Sequence, residues 1–131
     1  MPLNAKGEFS DPVLYLEAGD FDDGGNLRGA EIGGRPIMMM IYAEWCGHCK
    51  TTRPEFQKAA DNMKDVFFCV VHSDSKRPSV EALMRKMDTI YPVKGYPTIL
   101  MITRGGSKMP YEGERKAEAF QRAALNLLQR G

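Results

Sequence analysis

The sequence predicts an α/β fold with an antiparallel edge, and three observations carry that expectation. Four short runs, Val13 to Leu16, Ile37 to Tyr42, Val66 to His72 and Thr98 to Thr103, are largely apolar and rich in β-branched or long side chains, the composition of strands covered on both faces. The segments between them carry helical patterns. Glycine pairs at Gly24-Gly25, Gly33-Gly34 and Gly105-Gly106 punctuate the chain as turns, with no repeat or low-complexity stretch to suggest a linker.

The first helix is expected to begin at Cys46 and Cys49, just after the apolar run, and to continue through "KTTRPEFQKAADNM". Pro54 should kink it, because the ring removes a backbone donor and crowds the preceding turn. A second helix fits "SVEALMRKM", where Ser79 can cap the N-terminus. After the fourth strand, "RGGS" followed by "KMPY" reads as a hairpin into a short edge strand. Pro110 is tolerated there because an edge residue need not donate to a ladder. Ala117, Phe120, Ala124, Leu127 and Leu128 recur at helical spacing and give the last helix one apolar stripe to lay on the sheet.

At 131 residues and 43% hydrophobic content, the chain has the size of one domain that can close a core without staples. Residues 1–12 are expected to form an N-terminal extension and residues 13–131 the domain. Lys and Arg number 18 against 17 Asp and Glu, a net charge of +1 with no basic block, so no nucleic-acid partner is expected. The longest apolar run, Ile37 to Ala43, is far shorter than the about 20 residues of a membrane span, so no membrane association is expected either. The N-terminal stretch lacks the apolar centre of a secretory signal, which predicts a cytoplasmic protein; an oxidising compartment such as the ER lumen is the alternative if a presequence was removed. Three cysteines are too few for a disulfide scaffold, and Cys69, inside "VFFCVV", reads as an inert core thiol.

The other two cysteines stand in "WCGHCK", Trp45 to Lys50, at the mouth of the expected first helix. There Cys46 meets free backbone N–H groups and the positive end of the macrodipole, which favour a thiolate. Cys49 lies on the same helical face about one turn further in, ready to attack a disulfide made by Cys46. Thiolate stabilisation sets direction more than speed. Nucleophilicity falls with pKa, whereas each pKa unit stabilises the reduced pair by about 1.4 kcal/mol, or about 30 mV for a two-electron couple. His48, when protonated, adds to that stabilisation and biases the pair toward accepting electrons. A zinc site would need the scattered His48, His72 and Cys69 as further ligands, and a disulfide closing so short a loop would constrain the unfolded chain little. A redox role is the strongest of the three readings, with no metal or other cofactor expected.

The stretch "AEWCGHCK" resembles the active site of the thioredoxin superfamily, and "CGHC" is the form typical of protein disulfide isomerase domains. "VKGYPTI", Val93 to Ile99, is similar to the loop that faces the cysteines in those domains, and "YEGER", Tyr111 to Arg115, is similar to their Tyr-x-Gly-x-Arg at the start of the last helix. Pro54 matches the family's kinked helix. The resemblance runs from about Val13 to the C-terminus. It implies a thioredoxin fold, a central mixed β-sheet flanked by helices on both faces, with a cis Tyr96-Pro97 bond. It implies a thiol–disulfide oxidoreductase in which Cys46 attacks, Cys49 resolves, Arg115 swings toward Cys49 to lower its pKa, and Trp45, Gly47, Tyr96 and Pro97 bind substrate.

Partners would be proteins or peptides carrying thiols or disulfides, and a redox-recycling partner: a reductase, an oxidase or glutathione. A monomer is expected, with a disulfide-isomerase-like oxidising bias. A thioredoxin-like cytosolic reductase and a non-catalytic peptide-binding module are the alternatives. The chain departs from the family pattern in one respect. Met40 stands where the family has a buried acid six residues before the first cysteine, and Val70 aligns with its partner lysine. Replacing both members of a buried charge pair can be nearly neutral for stability. It removes the acid that helps to deprotonate Cys49, for which Glu44 and His72 are the candidate substitutes.

Overall fold

The computed structural model describes residues 9–29 and 32–130, preceded by the backbone of the short strand Leu3–Asn4. The described strands are β1 (Leu3–Asn4), β2 (Leu14–Tyr15), β3 (Ile37–Tyr42), β4 (Phe67–His72), β5 (Thr98–Ile102) and β6 (Lys108–Pro110). They form one sheet in the order β1-β2-β4-β3-β5-β6. β2 and β3 run parallel to β4, while β1, β5 and β6 are antiparallel to their neighbours. The helices are α1 (Gly47–Asn62), α2 (Pro78–Arg85), the single turn α3 (Met87–Ile90) and α4 (Ala117–Leu128).

The unbroken apolar runs are explained by cover on both faces. Met38, Met40, Tyr42, Phe68 and Val70 point into one core with Phe56 of α1 and Phe120 of α4. Their neighbours in the strands, Ile37, Met39, Ile41, Phe67, Cys69 and Val71, point into the other with Leu83, Met87 and Ile90 of α2 and α3. Side chains alternate with period two, so a strand apolar at every position needs a helix layer on each side. The three consecutive methionines of "MMM" are all fully buried, two on one face and one on the other.

The first core is locked by aromatic edges. Phe56 meets Phe68 at 5.2 Å and Phe120 at 5.6 Å, both edge-to-face, while Ala59, Ala60 and Ala124 leave the α1 and α4 backbones room to approach. α1 runs through Pro54 as one continuous helix. Each glycine pair contributes at least one residue with φ in the left-handed region: Gly25 at +81°, Gly33 and Gly34 at +59° and +73°, and Gly106 at +92°. At Gly25 a side chain is also sterically barred, since a Cβ would come 2.6 Å from the Thr89 carbonyl oxygen.

Three sequence expectations change. Phe9, within the stretch expected as an extension, is only 2% exposed and packs edge-to-face on Tyr15, Tyr42 and Phe56, so the core reaches back to it. A single aromatic in a polar stretch has no periodicity to announce it. Ser79 does not cap α2: Arg77 is the N-cap and Pro78 the first helical residue, a position where a missing N–H costs nothing. The Ser79 hydroxyl instead donates to the Glu17 carboxylate, which also pairs with Arg77 at 3.3 Å and is held below the usual carboxylate range chiefly by the serine bond. The strand expected over Val13 to Leu16 is reduced to its two central residues.

α4 is capped from outside its own sequence. Lys116 sits at its N-cap without a side-chain cap, and Glu55 of α1 supplies the missing acceptor, its Oε1 receiving the Ala117 N–H at 2.8 Å. A carboxylate at a helix N-terminus satisfies a free N–H and meets the positive end of the dipole. Glu55→Ala is expected to destabilise the fold by about 1–2 kcal/mol in urea unfolding, and Glu55→Gln, which keeps an acceptor, by less than half of that.

Candidate active site

The end of β3 delivers the cysteine pair. After Tyr42 the chain turns at Ala43, whose carbonyl accepts the Cys46 N–H at 3.2 Å, and the Glu44 N–H is held by both carboxylate oxygens of Asp74 at 3.0 and 3.1 Å. Cys46 is the N-cap of α1, with an extended backbone at φ −81° and ψ 117°. Its Sγ accepts the Cys49 N–H at 3.2 Å, doing with sulfur what a serine or aspartate oxygen does at other helix ends. The Cys46 thiol in turn donates to the Tyr96 carbonyl at 3.5 Å. Both cysteines are free thiols. Both are buried, Cys46 5% exposed and Cys49 2%.

The loop before β5 closes over the pair. Tyr96-Pro97 is cis, as the resemblance implies, and Asp11-Pro12 is cis as well. Pro97 is buried and Tyr96 half-buried. Trp45 is 72% exposed and leans edge-on against Tyr96, with ring centroids 5.9 Å apart. Gly47 and His48 are exposed in the first turn of α1, and the His48 carbonyl accepts from the hydroxyls of Thr51 and Thr52. The structure therefore brings together Trp45, Cys46, Cys49, Tyr96 and Pro97, with Gly47 and His48 alongside.

Cys49 lies in the same apolar cluster as Met40, Ala43, Phe56 and Val70. Met40 and Val70 are directly paired across β3 and β4, so the two positions aligned with the family's charge pair do face each other, both fully buried and apolar. Burial pushes the Cys49 thiol up to about 12, helped by its proximity to Cys46. The Ala43 backbone and the Arg115 charge pull the other way, with Arg115 the smallest of these influences. Arg115 is exposed and lies one residue before Lys116, the N-cap of α4.

Neither candidate substitute for the buried acid is hydrogen-bonded to Cys49 among the described residues. The Glu44 side chain is 66% exposed, and His72 stacks flat on Tyr42 at 5.0 Å. His72 Nε2 lies 3.0 Å from Asp74 Oδ1, within ion-pair distance but without hydrogen-bond alignment. Cys69 is fully buried beside β3, its thiol directed at the Met38 carbonyl and its pKa raised by desolvation. Among the described residues no group of three or more His, Cys, Asp or Glu side chains is arranged to hold a metal.

Sequence reasoning missed three supports of the site. Asp74 anchors the turn before Cys46 from a loop with no sequence signature. Tyr111 packs on Phe120 and donates its hydroxyl to the Glu114 carbonyl, folding the "YEGER" segment. Gly113 makes that fold possible, since a Cβ there would lie 2.7 Å from the Tyr111 hydroxyl.

The chain belongs to the thioredoxin family, whose profile matches residues 30–126. It is 31% identical over 110 residues to a thioredoxin-like protein, 453L, of Invertebrate iridescent virus 6, covering 74% of this chain and 80% of the viral one. It is 36% identical over 112 residues to the protein disulfide-isomerase of Hordeum vulgare, covering 82% of this chain but 20% of that protein. Among solved structures it is similar to the first thioredoxin domain of mouse protein disulfide-isomerase A4, with TM-score 0.63, 26% identity, and coverage of 96% of this chain and 86% of that one. The chain thus spans about a fifth of the barley isomerase it matches. These relatives support thiol–disulfide oxidoreductase chemistry at the level of the family. No described helix is long and apolar enough to cross a membrane.

A thiol held at about 12 is protonated throughout the physiological range, and its thiolate fraction grows tenfold with each pH unit below that value. Because burial is the largest cause and persists when Cys46 is in a mixed disulfide, release of a peptide from Cys46 by Cys49 should accelerate about tenfold per unit between pH 7 and pH 9. Rapid mixing of a preformed Cys46–peptide disulfide across that range reads it directly. A plateau below pH 9 would contradict the assignment.

Proposed function

We propose that the chain is a thiol–disulfide oxidoreductase acting on protein or peptide disulfides, with an oxidising, disulfide-isomerase-like bias. The observation that carries this reading is the Cys46 sulfur, which caps α1, receives the Cys49 N–H and faces the Tyr96 carbonyl, while Cys49 waits behind it. In the reducing direction the Cys46 thiolate attacks one sulfur of a substrate disulfide. A mixed disulfide forms and the first substrate thiolate leaves and takes up a proton. Cys49, after losing its own proton, attacks the Cys46 sulfur and expels the second substrate thiolate. Two electrons have then passed to the substrate, and Cys46 and Cys49 are joined. The reverse sequence forms a substrate disulfide, and stopping at the mixed disulfide allows isomerisation. A partner thiol or disulfide, whether glutathione or a reductase or oxidase, returns the pair to its starting state.

In this reading Trp45, Gly47, Tyr96 and Pro97 receive the substrate backbone beside Cys46, as an exposed edge receives an added strand. His48 stabilises the Cys46 thiolate and hence the reduced pair, while Arg115 favours the Cys49 thiolate during release. The isomerase relatives support the oxidising bias and favour an oxidising compartment over the cytoplasm, where thiols are kept reduced. The depth of Cys49 supports a second reading, a module that holds a partner as a mixed disulfide and releases it slowly.

Wild-type protein should catalyse insulin-disulfide reduction and Cys46→Ser should fall to background; retained activity in that variant would remove Cys46 from the chemistry. In a glutathione buffer the pair should poise near the disulfide-isomerase value of about −180 mV rather than the thioredoxin value of about −270 mV. His48→Ala should move it to more negative potential, because loss of the imidazolium destabilises the reduced thiolate.

A further inference from the structure

Around Pro97 the surface opens into a groove of about 540 Å³ that shares Tyr96, Pro97 and Arg115 with the site described above and extends past them to Tyr91, Lys94, Pro110 and Glu112. Tyr91, Tyr96, Pro97 and Pro110 supply its apolar lining. Its polar lining is uneven in charge: Lys94 and Arg115 against the single carboxylate of Glu112, with all three residues exposed. Among the described residues neither Lys94 nor Arg115 is engaged in an ion pair. The groove is continuous with the reactive thiol, because Tyr96 both lines it and accepts the Cys46 S–H through its carbonyl.

We propose that this groove reads the sequence beside the substrate cysteine, and that its occupant is an extended polypeptide carrying Asp or Glu within two or three residues of that cysteine. An extended chain advances about 3.3 Å per residue and returns to the same face every second residue. A segment bonded to Cys46 and lying along Tyr96 therefore carries a neighbouring side chain over the proline floor toward Lys94 and Arg115. The floor excludes water from one side of the contact, and the two unpaired cations supply the selectivity. Charge complementarity of this kind discriminates between partners more than it adds raw affinity, and it is sensitive to salt. The inference refines the oxidoreductase reading and rests on it for turnover, but not for binding.

Three peptides differing only by Asp, Asn or Lys two positions from a cysteine test it. Binding is measured with that cysteine replaced by serine, through the fluorescence of Trp45, the chain's one tryptophan. The Asp peptide should bind about fivefold more tightly than the Lys peptide at low ionic strength, with the difference collapsing near 1 M salt, where the screening length is about 3 Å. Lys94→Glu should abolish or invert the order. In the second arm the cysteine peptides, as mixed disulfides with glutathione, should follow the same order in kcat/KM, each rate normalised to that of neutral bis(2-hydroxyethyl) disulfide with the same protein. Equal binding of the three peptides overturns the proposal, as does an acidic preference that survives Lys94→Glu. Charge-ordered binding without any thiol exchange leaves the groove standing and removes the oxidoreductase reading instead.

Discussion

The contact on which the rest of the site depends is the hydrogen bond from the Cys49 amide to the Cys46 sulfur. A helix must satisfy its first N–H groups, and here the acceptor is the Cys46 sulfur. One bond therefore starts α1 and fixes the spacing of the two sulfurs. It forms only because the preceding turn is held from two sides. The Ala43 carbonyl takes the Cys46 N–H, and Asp74 clamps the Glu44 N–H from the end of β4. β3 and β4 are the paired centre of the sheet, so the thiol is referenced to its most rigid part.

From that anchor the two cysteines diverge in character. Cys46 faces the Tyr96 carbonyl and the exposed Trp45, whereas Cys49 turns inward to Met40, Val70 and Phe56. The helix places both on one side about one turn apart, and the sheet beneath decides how dry each is. Arg115 is the charge available to offset that dryness. It acts from an exposed loop held by Tyr111 and Gly113, so most of its field passes through solvent and its pull on Cys49 stays small beside burial.

The parts of this architecture that repeat were legible in the sequence. The strand runs at Ile37 and Val66, the helix after the cysteines and the stripe on α4 each involve several residues in a period, and each lies where its pattern put it. The mixed topology, the cis Tyr96-Pro97 bond and the assignment of Cys46 and Cys49 came from short motifs shared with a family. Single side chains reaching between distant segments were not legible. Glu55 capping α4, Asp74 holding Glu44, Phe9 packing on Phe56 and Ser79 turning to Glu17 join residues 30 to 62 positions apart, with no local pattern at either end. Arg115 shows the intermediate case. Its motif was recognised, but its place one residue outside the helix cap depends on the Tyr111 ring lying over Gly113.

Met40 and Val70 transfer a cost from stability to kinetics. Two apolar residues facing each other fill the space of a charge pair without its desolvation penalty, so folding loses nothing. Release by Cys49 bears the consequence. Burial keeps the Cys49 thiol far above neutral pH, so its thiolate is scarce at pH 7. The greater basicity of such a thiolate returns only part of what its scarcity costs, so release is slower than from an ordinary thiol in the same position. The sulfurs are neighbours, so this slows the step without forbidding it. A slow second step lengthens the life of the mixed disulfide and gives a bound polypeptide time to present another of its own thiols. On the proposed oxidoreductase reading, that favours rearrangement of a substrate's disulfides over their simple reduction.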